Sequence, residues 1–177
     1  STIVQHQLDN LELAGINPSG IRVVTGHNHQ QIEHYLNTGG FRGEFIYNPW
    51  YQETNMAASL WLARESDRAY ILVYGDIIFD PSILEDLIAT EGDIVLVVDN
   101  ASDLDPEAEK VVVEDGLLKK ASKSVDAAEA TGEFIGLAKL SDRGARMLQD
   151  ELERQIKDGS RMAFLSEVLE SLAERGE

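Results

Sequence analysis

The sequence contains no cysteine. That absence removes disulfides, thiolate nucleophiles and cysteine-ligated zinc from consideration. Basic residues are scarce as well: 15 Lys and Arg stand against 32 Asp and Glu, for a net charge of −17. A surface of that sign repels phosphate backbones, which argues against a nucleic-acid-binding protein. A small phosphorylated ligand remains compatible with it, provided a metal and a few local cations reverse the sign in one cleft. No apolar run is long enough to span a bilayer, and no signal-peptide pattern opens the chain. The expectation is therefore a soluble, cytoplasmic protein with no membrane association. Neither an H-x-x-x-H nor an H-E-x-x-H spacing occurs, so His27 and His29 read as loop histidines rather than zinc ligands. A G-x-S-x-G nucleophile elbow is missing too.

What is present suits one globular domain with a substantial core: 177 residues, 43% of them hydrophobic and 27% charged. Ile3, Leu8, Leu11 and Leu13-Ala14 give a helical spacing that stops at Gly15-Ile16-Asn17-Pro18. Ile21 to His27 reads as a strand ending in a glycine turn, and Gln30 to Leu36 as a helix with Ile32, Tyr35 and Leu36 on one face. Glu44 to Tyr47 is a short strand closed by Asn48-Pro49. A helix follows over Asn55 to Arg64, with Met56, Leu60 and Ala63 spaced to face the core. Tyr70 to Val73 reads as a buried central strand, and Pro81 opens a helix through Ile83, Leu84, Leu87 and Ile88. Asp93 to Asp99 is a further buried strand. This alternation predicts a Rossmann-like, three-layer α/β/α fold with a mostly parallel central sheet.

The second half changes pattern. Lys110 to Val113 and Leu117 to Lys120, separated by Glu114-Asp115-Gly116, read as a small β-hairpin insertion. Phe134 to Leu140 is another strand, Ser141 caps a long helix through Ala145, Leu148, Leu152 and Ile156, and a last helix runs from Phe164 to Ala173. No repeat or linker divides the chain.

Chemistry concentrates at a few points. Gly75-Asp76 sits at the carboxyl end of the Tyr70–Val73 strand, where ligands bind in open α/β sheets. A carboxylate there is a candidate Mg²⁺ ligand, and the glycine allows close approach. Read alone, the pair is equally a turn. Asp80 reads as a helix cap, and Asp99 as a loop residue. Thr54 and Asn55 lie on a loop that leaves a strand and enters a helix, where free N–H groups favour an anion, although Thr54 also reads simply as the N-cap. Lys123 could neutralise a phosphate or serve only as a surface charge. Glu133 is a carboxylate at a strand entry.

Taken in order, Val23-Val24-Thr25-Gly26-His27, the Asn48…Thr54-Asn55-Met56-Ala57-Ala58-Ser59-Leu60 block, Val73-Tyr74-Gly75-Asp76-Ile77-Ile78-Phe79, Ser122-Lys123 and Gly132-Glu133-Phe134-Ile135-Gly136 resemble the nucleotidyltransferase superfamily. The likeness runs from Val4 to about Ala173 and is strongest to cytidylyltransferases acting on phosphocholine or on phosphonates such as 2-aminoethylphosphonate. It implies transfer of a nucleotidyl group from a nucleoside triphosphate, CTP favoured, to a small phosphorylated or phosphonate acceptor, with Mg²⁺ and release of pyrophosphate. Asp76 would hold the metal, with Lys123 as a second catalytic group. Asn48, Thr54, Asn55 and Gly75 would contact the nucleotide. Glu133, Trp50, Tyr51 and Tyr74 would line the acceptor side, the aromatics facing a cationic head group. The aromatic pair Trp50 and Tyr51 reads equally as packing for its loop. A sugar-1-phosphate nucleotidyltransferase is the alternative, as is a non-catalytic module of the same fold. A homodimer or a fusion to another biosynthetic domain is compatible with the resemblance. The family's opening strand with its glycine-rich loop and its closing metal-ligand strand are not found, so the chain reads as a nucleotidyltransferase-like domain, 1–177, cut at both ends.

Overall fold

The computed structural model describes residues 2–64, 68–100, 104–159 and 162–176. Among them the chain forms six α-helices and seven strands. Helix α1 (Ile3–Leu13) starts under the Thr2 cap, whose side chain accepts the Gln5 N–H. Strand β1 (Arg22–Thr25) is followed by α2 (His29–Thr38), β2 (Glu44–Tyr47), α3 (Met56–Ala63), β3 (Tyr70–Val73), α4 (Pro81–Ala89) and β4 (Ile94–Asp99). The hairpin β5 (Lys110–Glu114) and β6 (Leu117–Ser122) turns at Asp115 and Gly116, both at positive φ as its two-residue turn requires. Then come β7 (Gly132–Leu140), α5 (Asp142–Lys157) and α6 (Leu165–Glu174).

The expected mostly parallel sheet is only partly realised. β1 and β2 are parallel, but the larger five-stranded sheet is antiparallel at every pairing. Its organiser is β7. Residues 138–140 of β7 pair with β3 on one edge and with β4 on the other, so β7 lies between two strands that the helix–strand alternation would place side by side. Nothing in the hydrophobic pattern of a doubly buried strand records its direction, which is why alternation alone misassigned this sheet. The hairpin is also less of an appendage than expected: Lys110 and Val111 of β5 pair with Glu133 and Gly132 of β7.

β7 passes from β3 to β5 at Gly136, whose φ is +81°. A methyl group at Gly136 would meet the ring of Tyr74, while the Gly136 carbonyl accepts the Tyr74 N–H at 2.8 Å. Glycine is required here for both its backbone and its bareness.

Three layers result. Leu72, Phe134, Ala138 and Leu140 join α3, α5 and α6 in one core, with Leu148, Leu152, Leu165, Val168 and Leu172 buried. The alternate residues Ile71, Val73, Val95, Val97, Ile135 and Leu137 face α1 and α4 on the other side, around Leu11, Phe79, Leu84 and Leu87. The period-two split of each strand between the two clusters shows why these runs are apolar throughout. Two helical faces differ from expectation. On α1 the buried residues are Gln7, Asn10 and Leu11, and Leu13 is 77% exposed. On α2 only Leu36 is buried, leaving Ile32 and Tyr35 exposed.

The two sheets are separate, and the parallel pair contributes to neither core: Val23, Val24, Phe45 and Ile46 are half-buried outside both clusters. Ile21 directs its carbonyl to Glu44 of β2, Thr25 directs its own to Asn48 just past β2, and Tyr74 directs its N–H to β7. By alternation the backbone groups of Val24 on β1, and of Ile71 and Val73 on β3, point to strand edges that no other strand among the described residues pairs with.

Candidate active site

β3 delivers its chain end to an exposed turn at Gly75 and Asp76. Nothing lies within 4 Å of where a side chain on Gly75 would start, so the backbone is open to a ligand on that face. Asp76 is exposed, and its charge is felt by the neighbouring Tyr74. Asp80 caps α4, accepting the N–H and hydroxyl of Ser82 at 2.9 and 2.8 Å, and these bonds lower its pKa.

Tyr74 ties the turn to the segment before β5 and to α6. Its hydroxyl donates to Glu109 Oε1 at 3.2 Å, and its ring meets Phe134 edge-on at 5.7 Å. Burial, the Glu109 charge and hydrogen bond, and the Asp76 charge all push its pKa up, so it stays a neutral donor. The other Glu109 oxygen accepts the Ser166 N–H at 3.1 Å, placing a carboxylate at the start of α6 where the helix dipole favours it.

Glu133 stands on β7 opposite Asp99 of β4 on one side and Lys110 of β5 on the other. Burial first, then the charges of Asp99, Asp105 and Glu109, raise its pKa, and only Lys110 opposes them. Lys110 is buried, its ammonium reaching the carbonyls of Pro106 and Ala108 at 3.4 Å. Lys123, at the end of the hairpin, lies 4.3 Å over the Phe164 ring and pairs with Glu107 at 2.9 Å. Tyr74, Glu133 and Lys123 are linked through Glu109 and the beginning of α6, and Asp76 reaches this group through the effect of its charge on Tyr74.

The loop between β2 and α3 makes a second group. Asn48 is buried, donating to Thr54 and Ser59 and accepting the Trp50 N–H, so its side chain is committed to holding the loop. Thr54 donates to the Trp50 carbonyl. The α3 cap is Asn55, which accepts the Met56 N–H at 3.0 Å, and not Thr54. Tyr51 packs across Gly26 and near the His27 ring, at the end of β1, while Trp50 is 48% exposed. Among the described residues no hydrogen bond, ion pair or ring contact joins Trp50 or Tyr51 to Asp76, Glu133 or Lys123. The helix that follows the loop meets the segment leading into α6 through the Ala57 N–H and the Ala163 carbonyl at 3.4 Å, and its side chains pack in the same core as Tyr74 and Phe134.

His29 pairs with Glu33 at 3.1 Å and stacks near Tyr47. Among the described residues no group of three or more His, Asp or Glu is placed to hold a metal. Mg²⁺ commonly takes one or two carboxylates and completes its shell with water and substrate phosphate. A single exposed carboxylate at Asp76 fits a cation that arrives with a triphosphate, not one caged by protein alone.

Sequence reading overlooked Glu109 and Lys110, although Lys110 is the one cation in the acidic run from Asp103 to Asp115. It also overlooked Gln7 and Asn10. Their signal was two amides on the core-facing side of α1, at i+4 and i+7 from Ile3.

No protein-family model matches the sequence, and no curated protein matches it. Solved structures do. The chain is similar to the inositol-1-phosphate CTP transferase from T. maritima, with a TM-score of 0.75 and 23% identity, over 98% of this chain and 69% of that one. It is similar to a putative glucose-1-phosphate thymidylyltransferase from Bacillus anthracis, with a TM-score of 0.75 and 15% identity, over 98% and 71%. A third is the CTP:phosphocholine cytidylyltransferase from Streptococcus pneumoniae, with a TM-score of 0.63 and 12% identity, over 98% and 72%. This chain therefore has the fold of those nucleotidyltransferases. Among the described residues no helix is long and apolar enough to cross a membrane.

Proposed function

We propose that the protein is a nucleotidyltransferase that couples a nucleoside triphosphate, CTP favoured, to a small acceptor bearing a phosphate or phosphonate. The observation that carries this reading is the exposed Asp76 turn at the end of β3, joined through Tyr74 and Glu109 to an acceptor-side cluster, in a fold shared with three nucleotidyltransferases. In the reaction an acceptor oxygen forms a bond to the α-phosphorus, the α–β bridging bond breaks, and pyrophosphate leaves with the electron pair. The acceptor oxygen is already anionic, so no general base is needed, and catalysis consists of positioning and charge neutralisation.

Asp76 would hold Mg²⁺, which when bound neutralises charge on the phosphates. The loop carrying Thr54 and Asn55 would seat the nucleotide, with Asn48 keeping that loop in shape. Lys123 would reach a phosphate once it leaves Glu107. Glu133, held among Asp99, Asp105 and Glu109, supplies negative potential that suits an acceptor with a cationic group, as in phosphocholine or 2-aminoethylphosphonate. Tyr74 supports that side from below as a neutral donor.

A sugar or polyol phosphate acceptor is a second reading. It is favoured by the two neighbours of TM-score 0.75, named for inositol-1-phosphate and glucose-1-phosphate. Titration calorimetry with CTP, UTP, ATP and GTP in the presence of Mg²⁺ tests the common core of both. Selective binding of one triphosphate, strengthened by Mg²⁺, is expected; binding of none would leave a non-catalytic module of this fold. Adding phosphocholine, 2-aminoethylphosphonate, inositol-1-phosphate or glucose-1-phosphate to the nucleotide complex then separates the acceptors.

A further inference from the structure

The segment that carries Asp76 has almost no structure of its own. Between β3 and α4 the chain runs through residues 74–80 without helix or strand, and Gly75, Asp76 and Ile78 are exposed. Among the described residues, the hydrogen bonds made to residues 75–79 all come from one helix, α1. The side-chain amide of Gln7 donates to the Tyr74 carbonyl and to the Ile77 carbonyl, each at 2.8 Å. One turn further along, Asn10 donates to the Phe79 carbonyl at 2.9 Å. Both amides are buried, at 6% and 3% exposure, and Phe79 is anchored in the core beside Leu11, Leu84 and Leu87.

The geometry points to Gln7 as a positioning residue for Asp76. Its amide nitrogen has two hydrogens, and each is spent on one end of the Tyr74–Ile77 span. The Gly75-Asp76 tip is thereby held between two carbonyls tied to a single atom. A carboxylate in that place cannot donate, and a thioether cannot either, so the site accepts glutamine for its NH₂ group rather than for its size. α1 touches no candidate ligand atom; it acts on the reaction through the backbone of the turn. This rests on the reading of Asp76 as the group that receives the metal with its nucleotide.

The test compares wild-type protein with Gln7→Met, which keeps length and burial but removes both donors. Mg²⁺–CTP affinity, measured by calorimetry, is expected to fall about tenfold or more, the equivalent of one or two hydrogen bonds. CTP affinity without Mg²⁺ should fall much less, a split that a purely structural lesion would not produce. A measurement on unaltered protein keeps the idea refutable should the variant fail to fold. In ¹⁵N-resolved spectra the Gln7 side-chain amide should exchange slowly with solvent and shift when Mg²⁺–CTP is added, unlike the exposed Gln30 and Gln31. Equal Mg²⁺–CTP affinity in Gln7→Met, or a Gln7 amide that does not respond to nucleotide, overturns the inference alone. If wild-type protein binds no nucleotide, the functional reading falls and the inference with it.

Discussion

Glu151 is a fully buried carboxylate on α5, and its removal should produce a defined change in acid stability. It accepts from Arg154 Nη2 at 2.6 Å and Nε at 2.9 Å and from Gln155 at 2.8 Å, and it pairs with Arg175 at the end of α6 at 3.0 Å. Burial alone would raise its pKa. Hydrogen bonds from Arg154, Gln155 and Ser171, with the Arg175 charge, outweigh it and hold the group at about 2 rather than 4.5. A folded-state pKa below the unfolded one stabilises the fold fully above 4.5, and that contribution is lost as pH falls toward 2. At about 1.4 kcal/mol per tenfold change in proton affinity, the depression corresponds to about 3 kcal/mol. Glu151→Gln should cost about 2–3 kcal/mol at pH 7, less than for a fully enclosed pair because Arg154 and Arg175 are 51% and 42% exposed and can return to water. Urea unfolding followed by circular dichroism, for both proteins at intervals from pH 7 to pH 3, measures this directly. The stability gap should narrow steadily as pH drops below 5. A gap that stays constant over that range would refute the assignment of Glu151 as an ionised link between α5 and α6.

Further outcomes follow from other contacts. Gly136→Ala should destabilise by about 3 kcal/mol or more in thermal unfolding, since a methyl group at φ +81° would also strike the Tyr74 ring; a change within about 0.5 kcal/mol would contradict the β7 crossover. Tyr74→Phe, which leaves Glu109 without its hydroxyl donor, should cost about 1–2 kcal/mol, read by urea midpoint. In hydrogen exchange, the Ile71 and Val73 amides, on the edge of β3 that no described strand pairs with, should exchange well ahead of Leu72 and Tyr74, which face β7. Uniform protection along β3 would show that its edge is covered.

Much of the fold could be read from hydrophobic period and turn chemistry. The Asp115-Gly116 turn, the Ser141 and Asp80 caps and the apolar face of α6 all have local causes, and the structure contains each of them. The direction and position of β7 could not be read, because Phe134 to Leu140 would be equally apolar in a parallel or an antiparallel central strand. The buried face of α1 was misjudged for a related reason. Gln7 and Asn10 look like surface residues until the loop carbonyls they serve are known. At the candidate site, Asp76 and Glu133 were visible as acids next to strands, whereas Glu109, just ahead of β5, gains its partners only when the fold brings it to the Tyr74 hydroxyl and the start of α6. Asn48 was legible as a polar loop residue, but its inward orientation depends on Ser59, a full helical turn into α3.

The central claim is that Asp76 serves nucleotidyl transfer, and one substitution tests it most directly. Asp76 is exposed and makes no hydrogen bond among the described residues, so Asp76→Ala should leave the melting temperature nearly unchanged. Turnover can be followed by ³¹P NMR in the protein as its gene encodes it, with CTP, Mg²⁺ and each acceptor in turn. The wild-type protein should release pyrophosphate and form the anhydride of CMP with one of the acceptors, and Asp76→Ala should form neither at a detectable rate. Wild-type-like product formation by a folded Asp76→Ala protein would contradict the account.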